Sequence, residues 1–195
     1  MLGFLDLPGE IRNQIYFELL IVPDLSPPRL VCDPSLHPRI LEVCKEIHHE
    51  SKQVLYGKNS YLAHPNLLTG LPRLRLHYDA ISSYHLISLI SRYHIRVRLD
   101  CDPNFSAQKA SDAFSGIEEL TIEVFQATFG GSDYEVLTLF EEIRGVKKVK
   151  IYGSVIAFPD YVIWLRKSMM MPKGSFVAKS ERPILEEVKP LLVEK

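Results

Sequence analysis

Four short stretches in which apolar and charged residues alternate, separated by segments of helical spacing, constrain the fold more than any other feature. In 73–77, Leu74 and Leu76 share one side, with Arg73 and Arg75 on the other. In 95–101, Ile95, Val97, Leu99 and Cys101 lie together, opposite Arg96, Arg98 and Asp100. Residues 119–124 set Leu120, Ile122 and Val124 against Glu119, Thr121 and Glu123, and 148–151 set Val149 and Ile151 against Lys148 and Lys150. A period of two is that of a half-buried strand. The intervening segments 83–92, 106–114 and 133–143 have helical spacing, with Leu86, Ile87 and Ile90 in the first and Val136, Leu137 and Phe140 in the last. Such alternation favours parallel pairing through crossovers. The fold class is therefore α/β, with α+β as the alternative: a mostly parallel sheet with helices on one face. A sheet covered by helices on both faces would read as continuously apolar, so the second face is expected to be solvated or covered by something polar.

The strand starts near 73, 95, 118 and 147 are about 22 to 29 residues apart, a spacing that resembles leucine-rich repeats. The leucine-rich consensus is not repeated, so the reading is a degenerate, repeat-like sheet, with a ferredoxin-like or other α+β sandwich as the alternative.

The N-terminal region has a different pattern. Asp6 or Leu7 is placed at an N-cap, Pro8 at the first helical position where its missing N–H costs nothing, and Glu10 in the first turn. The helix runs to about Leu20. Ile11, Ile15 and Leu19 recur at four-residue spacing, and Tyr16 and Leu20 widen the stripe to a face that needs burial. Arg12, Asn13 and Glu18 are expected to point the other way. A second helix is expected over about 39–55, packing on the first through Ile40, Val43, Cys44, Ile47 and Ser51, with Cys44 buried.

These two segments carry a family resemblance. Leu7-Pro-x-Glu-Ile-Arg-x-x-Ile-Tyr16, then Val43-Cys-Lys-x-Ile-x-x-Glu50, then Tyr56-Gly-x-Asn59 resembles a group of fungal F-box-like proteins, over about the first third of the chain. The resemblance implies an F-box-like helical pair and docking of a Skp1-type ubiquitin-ligase adaptor through the helix bearing Leu7, Pro8, Ile11, Ile15 and Tyr16. The chain departs from an F-box between the two helices, where residues 22–38 are rich in proline and cannot form a continuous helix. The other reading keeps the helical pair as part of the core. The chain thus divides into residues 1–61, an F-box-like region with a proline-rich insertion; 62–178, the strand–helix region; and 179–195, a tail. Together they are read as one unit.

Composition narrows the classes. With 195 residues, 46% of them hydrophobic, the chain can bury a substantial core. No apolar run is long enough to span a bilayer, and Asp6 and Glu10 stand where a signal peptide would be apolar, so an intracellular protein, cytoplasmic or nuclear, is expected. Cys32, Cys44 and Cys101 form no Cys-x-x-Cys pair. Cys44 and His48 have the spacing of half a zinc site, but no second half-site accompanies them. Gly130-Gly-Ser132 before a helical segment resembles a phosphate-binding turn no more than an ordinary helix cap. No nucleophile elbow, Walker loop or dinucleotide fingerprint occurs. The expectation is a non-enzymatic protein with no cofactor and no metal.

The net charge of −1 gives no general attraction to nucleic acid. Recognition is expected from a local patch. With strands paired in chain order, Arg96 and Arg98 lie beside Glu119 and Glu123, and these beside Lys148 and Lys150, a self-consistent order. Arg73 and Arg75 are left as the unmatched part of a basic face made of Arg73, Arg75, Arg96 and Arg98. That face is a candidate site for an acidic or phosphate-bearing partner. The interleaved glutamates argue against nucleic acid, which wants a continuous positive track.

Overall fold

The computed structural model describes residues 3–23, 36–63, 71–127 and 133–175. Most of the proline-rich insertion, Cys32, the 130–132 turn and the 179–195 tail lie outside them.

A single 3-10 turn, Phe4–Asp6, leads into helix α1, Gly9–Leu20. Pro8 is the N-cap of α1 and not its first residue. Two causes act together. Leu7 precedes a proline and is held extended at φ −69°, ψ 144°. Asp6, the expected cap, instead accepts the Gly3 N–H at 2.7 Å.

The second helix also differs from expectation. Residues Pro38–Glu42 form a 3-10 turn, the chain opens at Cys44 (φ −160°, ψ 169°), and helix α2 spans Lys45–Lys58. The tighter pitch of the turn puts Val43 and Cys44 out of phase with α2, so both face solvent, Val43 at 62% exposure. Cys44 is thus exposed and not buried. Ile47 and Ser51 do pack inward as expected.

Strands β1 (Tyr61–Leu62), β2 (Arg92–Arg98), β3 (Glu119–Phe125) and β4 (Lys148–Gly153) form one parallel sheet in chain order. The fold is therefore α/β, and the pairing is not that of a ferredoxin-like sandwich. The segments between strands are α3 (Tyr84–Ile87), α4 (Ala107–Phe114) and a 3-10 helix (Glu135–Phe140), and α5 (Pro159–Met170) follows β4. The 135–140 segment stays 3-10 because the Thr138 hydroxyl takes the Glu135 carbonyl at 2.6 Å, which competes with an α-helical bond.

The expected first strand at 73–77 does not form. Arg73 makes one antiparallel bridge to Leu62, and the chain then turns. Leu76, expected to face inward, is 70% exposed. The Arg75 guanidinium folds inward and donates to the carbonyls of Leu74 at 2.6 Å, Ser60 at 3.3 Å and Pro23. Tyr61 and Leu62, directly after α2, take the first place in the sheet instead. Strand β2 also begins earlier than the expected Ile95 and ends at Arg98, where Asp100 accepts both Arg98 Nε and the Ala127 N–H, so Cys101 sits in an exposed turn.

Sequential parallel order with crossovers of one hand puts the connections on one face of the sheet. On that side Ile95, Val97, Leu120, Ile122, Val124 and Val149 are buried, as are Phe114, Leu137, Phe140, Leu165 and Met169 from the covering elements. Tyr93 meets Phe114 edge-on, with centroids 5.5 Å apart. Gly153 ends β4 at φ +106°, where a Cβ would lie 2.0 Å from the Val124 carbonyl oxygen.

Candidate interaction surfaces

The F-box-like pattern divides into residues that hold the two helices together and residues that remain at the surface. Arg12, expected to face away, instead grips Glu50 of α2 with two bonds, Nε to Oε2 at 3.0 Å and Nη2 to Oε1 at 2.5 Å. Its remaining nitrogen donates to the carbonyls of Leu7 and Leu5 at 2.7 and 3.2 Å, which fixes the chain entering α1. The Tyr16 hydroxyl donates to the same carboxylate at 2.8 Å. Bonding from Arg12 first, then from Tyr16, holds the Glu50 carboxyl below its usual range. Burial, then the bond to Glu50, pushes Tyr16 up to about 12.

Asn59, last residue of the pattern, is buried and closes the other end of the pair. Its Oδ1 accepts the Val22 N–H at 2.9 Å, and its Nδ2 donates to the carbonyls of Leu20 at 2.7 Å and Leu55 at 2.9 Å. One side chain thus satisfies the C-terminal ends of both helices, where carbonyls lack intrahelical partners. The spacing of Arg12, Tyr16, Glu50 and Asn59 is explained by their contacts within this chain.

Of the apolar pattern positions, Ile47 is buried, while those on α1 differ in exposure. Tyr16 and Leu20 are fully buried, whereas Ile15 and Leu19 are half-buried and Ile11 is 45% exposed. Pro8 is exposed and Leu7 half-buried. Leu5, Phe17 and Val43 add exposed apolar surface on the same two segments. The helical pair therefore retains an apolar stripe that is exposed at Pro8 and Ile11 and half-buried at Ile15.

The sheet face opposite the helices carries Arg92, His94, Arg96 and Arg98 on β2, Glu119, Thr121 and Glu123 on β3, and Lys148, Lys150 and Tyr152 on β4, as the register requires. Arg96 lies opposite Glu123 and binds it at 3.2 Å, with its guanidinium carbon 4.9 Å above the Phe125 ring. Glu123 also meets His94 Nε2 at 3.1 Å. Glu119 lies opposite Lys148 and takes Lys148 and Lys150 at 3.3 and 2.8 Å. Burial opposes ionisation of Glu119, but the two lysines together hold its carboxyl below the usual range.

Two placements correct the sequence expectation. Arg98 sits opposite Phe125, not a glutamate, and pairs with Asp100. Arg73 and Arg75 are not on this face at all. The four arginines form no single basic surface: Arg75 is buried on carbonyls, and Arg96 and Arg98 are each paired with an acid. The middle of the face is also less open than its polarity suggests, since His94 and Thr121 are buried.

Among the described residues no group of three or more His, Cys, Asp or Glu is placed to hold a metal ion. Cys44 is the extended cap of α2, and His48 Nδ1 is bonded to the Leu41 carbonyl at 2.9 Å. Among the described residues the strand order 1-2-3-4 contains no reversal, the feature that opens a switch-point crevice in α/β sheets. No helix among the described residues is long and apolar enough to cross a membrane. Comparison of the chain with family models, with curated proteins and with solved structures gives no match.

Proposed function

We propose that this protein is a non-enzymatic interaction module that docks a Skp1-type ubiquitin-ligase adaptor through the outer stripe of α1. The observation that carries this reading is the exposure of Ile11 on a helix whose other side buries Tyr16 and Leu20 completely. A stripe needed only for the core would be covered by this chain. The polar pattern residues are spent on fastening α1 to α2, so the apolar ones are free to supply the contact energy. Burying one such side chain fully contributes about 1.5–3 kcal/mol.

Binding of an acidic or nucleic-acid partner by residues 73–98 is less well supported, because most of that charge is neutralised locally. Arg92 binds Glu118 at 3.1 Å, Arg96 binds Glu123 and Arg98 binds Asp100. The test of the adaptor reading is co-purification of the full chain with a co-expressed Skp1-type adaptor. A one-to-one complex with the parent, lost on Ile11→Asp in a variant that stays folded, is the expected result. Failure of the parent to form a complex refutes it.

A further inference from the structure

Four tyrosines among the described residues are buried, and three of them donate their hydroxyl to a group of this chain. Tyr16 donates to Glu50, Tyr61 to the Leu55 carbonyl at 3.1 Å and Tyr161 to Glu141 at 2.9 Å. The fourth, Tyr93 on β2, is 9% exposed, and its hydroxyl has no hydrogen-bond partner among the described residues. A buried tyrosine hydroxyl ordinarily finds a partner, so one without it calls for a cause. Unlike the unpartnered hydroxyls of Ser51 and Ser168, it is not sealed from open space.

That space is a cavity of about 390 Å³ beside β2, α3 and α4, within the size range of small-molecule sites. Strand neighbours flank Tyr93 on both sides, Tyr61 on β1 and Leu120 on β3, and the Phe114 ring of α4 meets it edge-on. Its remaining exposure is to the cavity. Unequal crossovers leave this room: α4 has eight residues, whereas among the described residues the connection before β2 has only the four-residue α3. Pro72, Ile87, Ile90, Phe114 and Ile117 supply apolar wall. Two polar groups stand at the exposed rim. Ser88 Oγ donates to the His85 carbonyl at 2.8 Å, and Asp112 Oδ1 accepts from Gln108 Nε2 at 2.8 Å. Burial pushes the Tyr93 phenol up to about 12, so it stays a proton donor through the neutral range.

We propose that this cavity binds a small, uncharged, ring-bearing carbonyl compound whose oxygen accepts a hydrogen bond from the Tyr93 hydroxyl. The walls offer contact to a flat apolar body, and Tyr93 is the one donor among the buried side chains that line them. A ligand hydroxyl suits the site less well. It and Tyr93 bring two protons, and one of them is left without an acceptor among apolar walls. A carboxylate is disfavoured, because burying an unpaired charge is costly and Asp112 adds repulsion at the rim. The inference does not depend on adaptor docking, which uses α1.

Titration of the full chain with indanone, a fused-ring ketone, tests it. Amide chemical shifts should move saturably with a Kd of about 1 mM or tighter, most at Ile90, Tyr93 and Phe114. Tyr93→Phe should weaken binding about 2- to 12-fold, the ratio that one hydrogen bond sets. The infrared carbonyl stretch of bound indanone should lie lower in the parent than in Tyr93→Phe, a signature that packing alone does not give. Because the hydroxyl bonds nothing in the chain, Tyr93→Phe should also keep Tm within about 2 °C of the parent. A second variant leaves Tyr93 in place: Ala113→Trp, at an exposed position on the cavity, should abolish binding. Indane carboxylate should bind at least about tenfold more weakly than indanone. No saturation at the solubility limit, with water then the sole occupant of the cavity, would overturn the proposal. So would the largest shifts lying elsewhere, equal affinity and carbonyl stretch in Tyr93→Phe, a large fall in its Tm, undiminished binding by Ala113→Trp, or equal binding of the carboxylate.

Discussion

Replacing Asn59 by alanine removes the side chain that closes both helix ends. The amide makes three bonds, all to backbone groups in a buried setting. The Leu55 carbonyl keeps a partner, since Tyr61 Oη also donates to it at 3.1 Å. The Val22 N–H and the Leu20 carbonyl lose the partner the side chain supplied. Each buried group left unsatisfied costs about 1–3 kcal/mol, so the substitution should cost about 2–6 kcal/mol. For a chain of this size, about 3 kcal/mol lowers Tm by roughly 6–12 °C. Urea denaturation followed by circular dichroism gives the free energy directly, with an unchanged slope as the check on two-state behaviour. Asn59→Asp should fail as well, because it keeps the acceptor for Val22 but sets a carboxylate against two carbonyls. A loss below about 1 kcal/mol for Asn59→Ala would refute the assignment of Asn59 as the closing residue.

Gly153→Ala should cost about 3 kcal/mol or more, because the new Cβ meets the Val124 backbone in a left-handed conformation; a variant with parental stability would show that β3 and β4 can shift apart there. Arg75→Glu should cost about 3 kcal/mol, since it places an unpaired carboxylate among carbonyls, while Arg73→Glu should stay within about 0.5 kcal/mol; equal effects by thermal melting would contradict the different burial of the two arginines. Glu50, Glu118 and Glu119 have depressed carboxyl pKa values in the fold, so their contribution is present above the unfolded value of about 4.3 and is lost as pH falls through the folded values. Glu50→Gln should flatten part of the acid limb of a stability–pH curve, and an unaltered limb would remove Glu50 from the account. Tyr16 and Tyr93 are raised to about 12, so stability should also fall as pH rises from about 10, the unfolded value, to about 12.

The sheet was legible in the sequence wherever a strand had a partner on each side or packed on a helix. The alternation in 119–124 and 148–151 gives both strands and their facing charges, because a period of two with a buried face has one stable register. Residues 73–77 show the same alternation yet form no strand. Arg75 found a buried set of carbonyls brought together by Pro23 and Ser60, a tertiary event that local periodicity does not contain. The two-residue β1 was too short to show any period. In the helical pair, α1 was readable to within a residue or two, whereas α2 starts six residues later than its spacing suggests, and the roles of Arg12 and Asn59 were not readable. An arginine four residues before a tyrosine reads as a solvent-facing charge until Glu50 is brought against both. The signal that could have revealed the contact was the pattern itself, which specifies Arg, Tyr, Glu and Asn at positions where a merely apolar seam would leave residue type open. The outer stripe at Pro8, Ile11 and Ile15 was visible as apolar spacing, but which part of it the chain covers is decided by how α2 crosses α1.

The adaptor account is tested most directly by titrating a purified Skp1-type adaptor into the parent and into Ile11→Asp, with the melting temperature of each measured alongside. The account predicts saturable binding by the parent, loss of binding in the variant, and a Tm within about 2 °C of the parent, as expected for a surface substitution. Undiminished binding by the variant, no binding by the parent, or a large fall in Tm that shows Ile11 to be a core residue would contradict it.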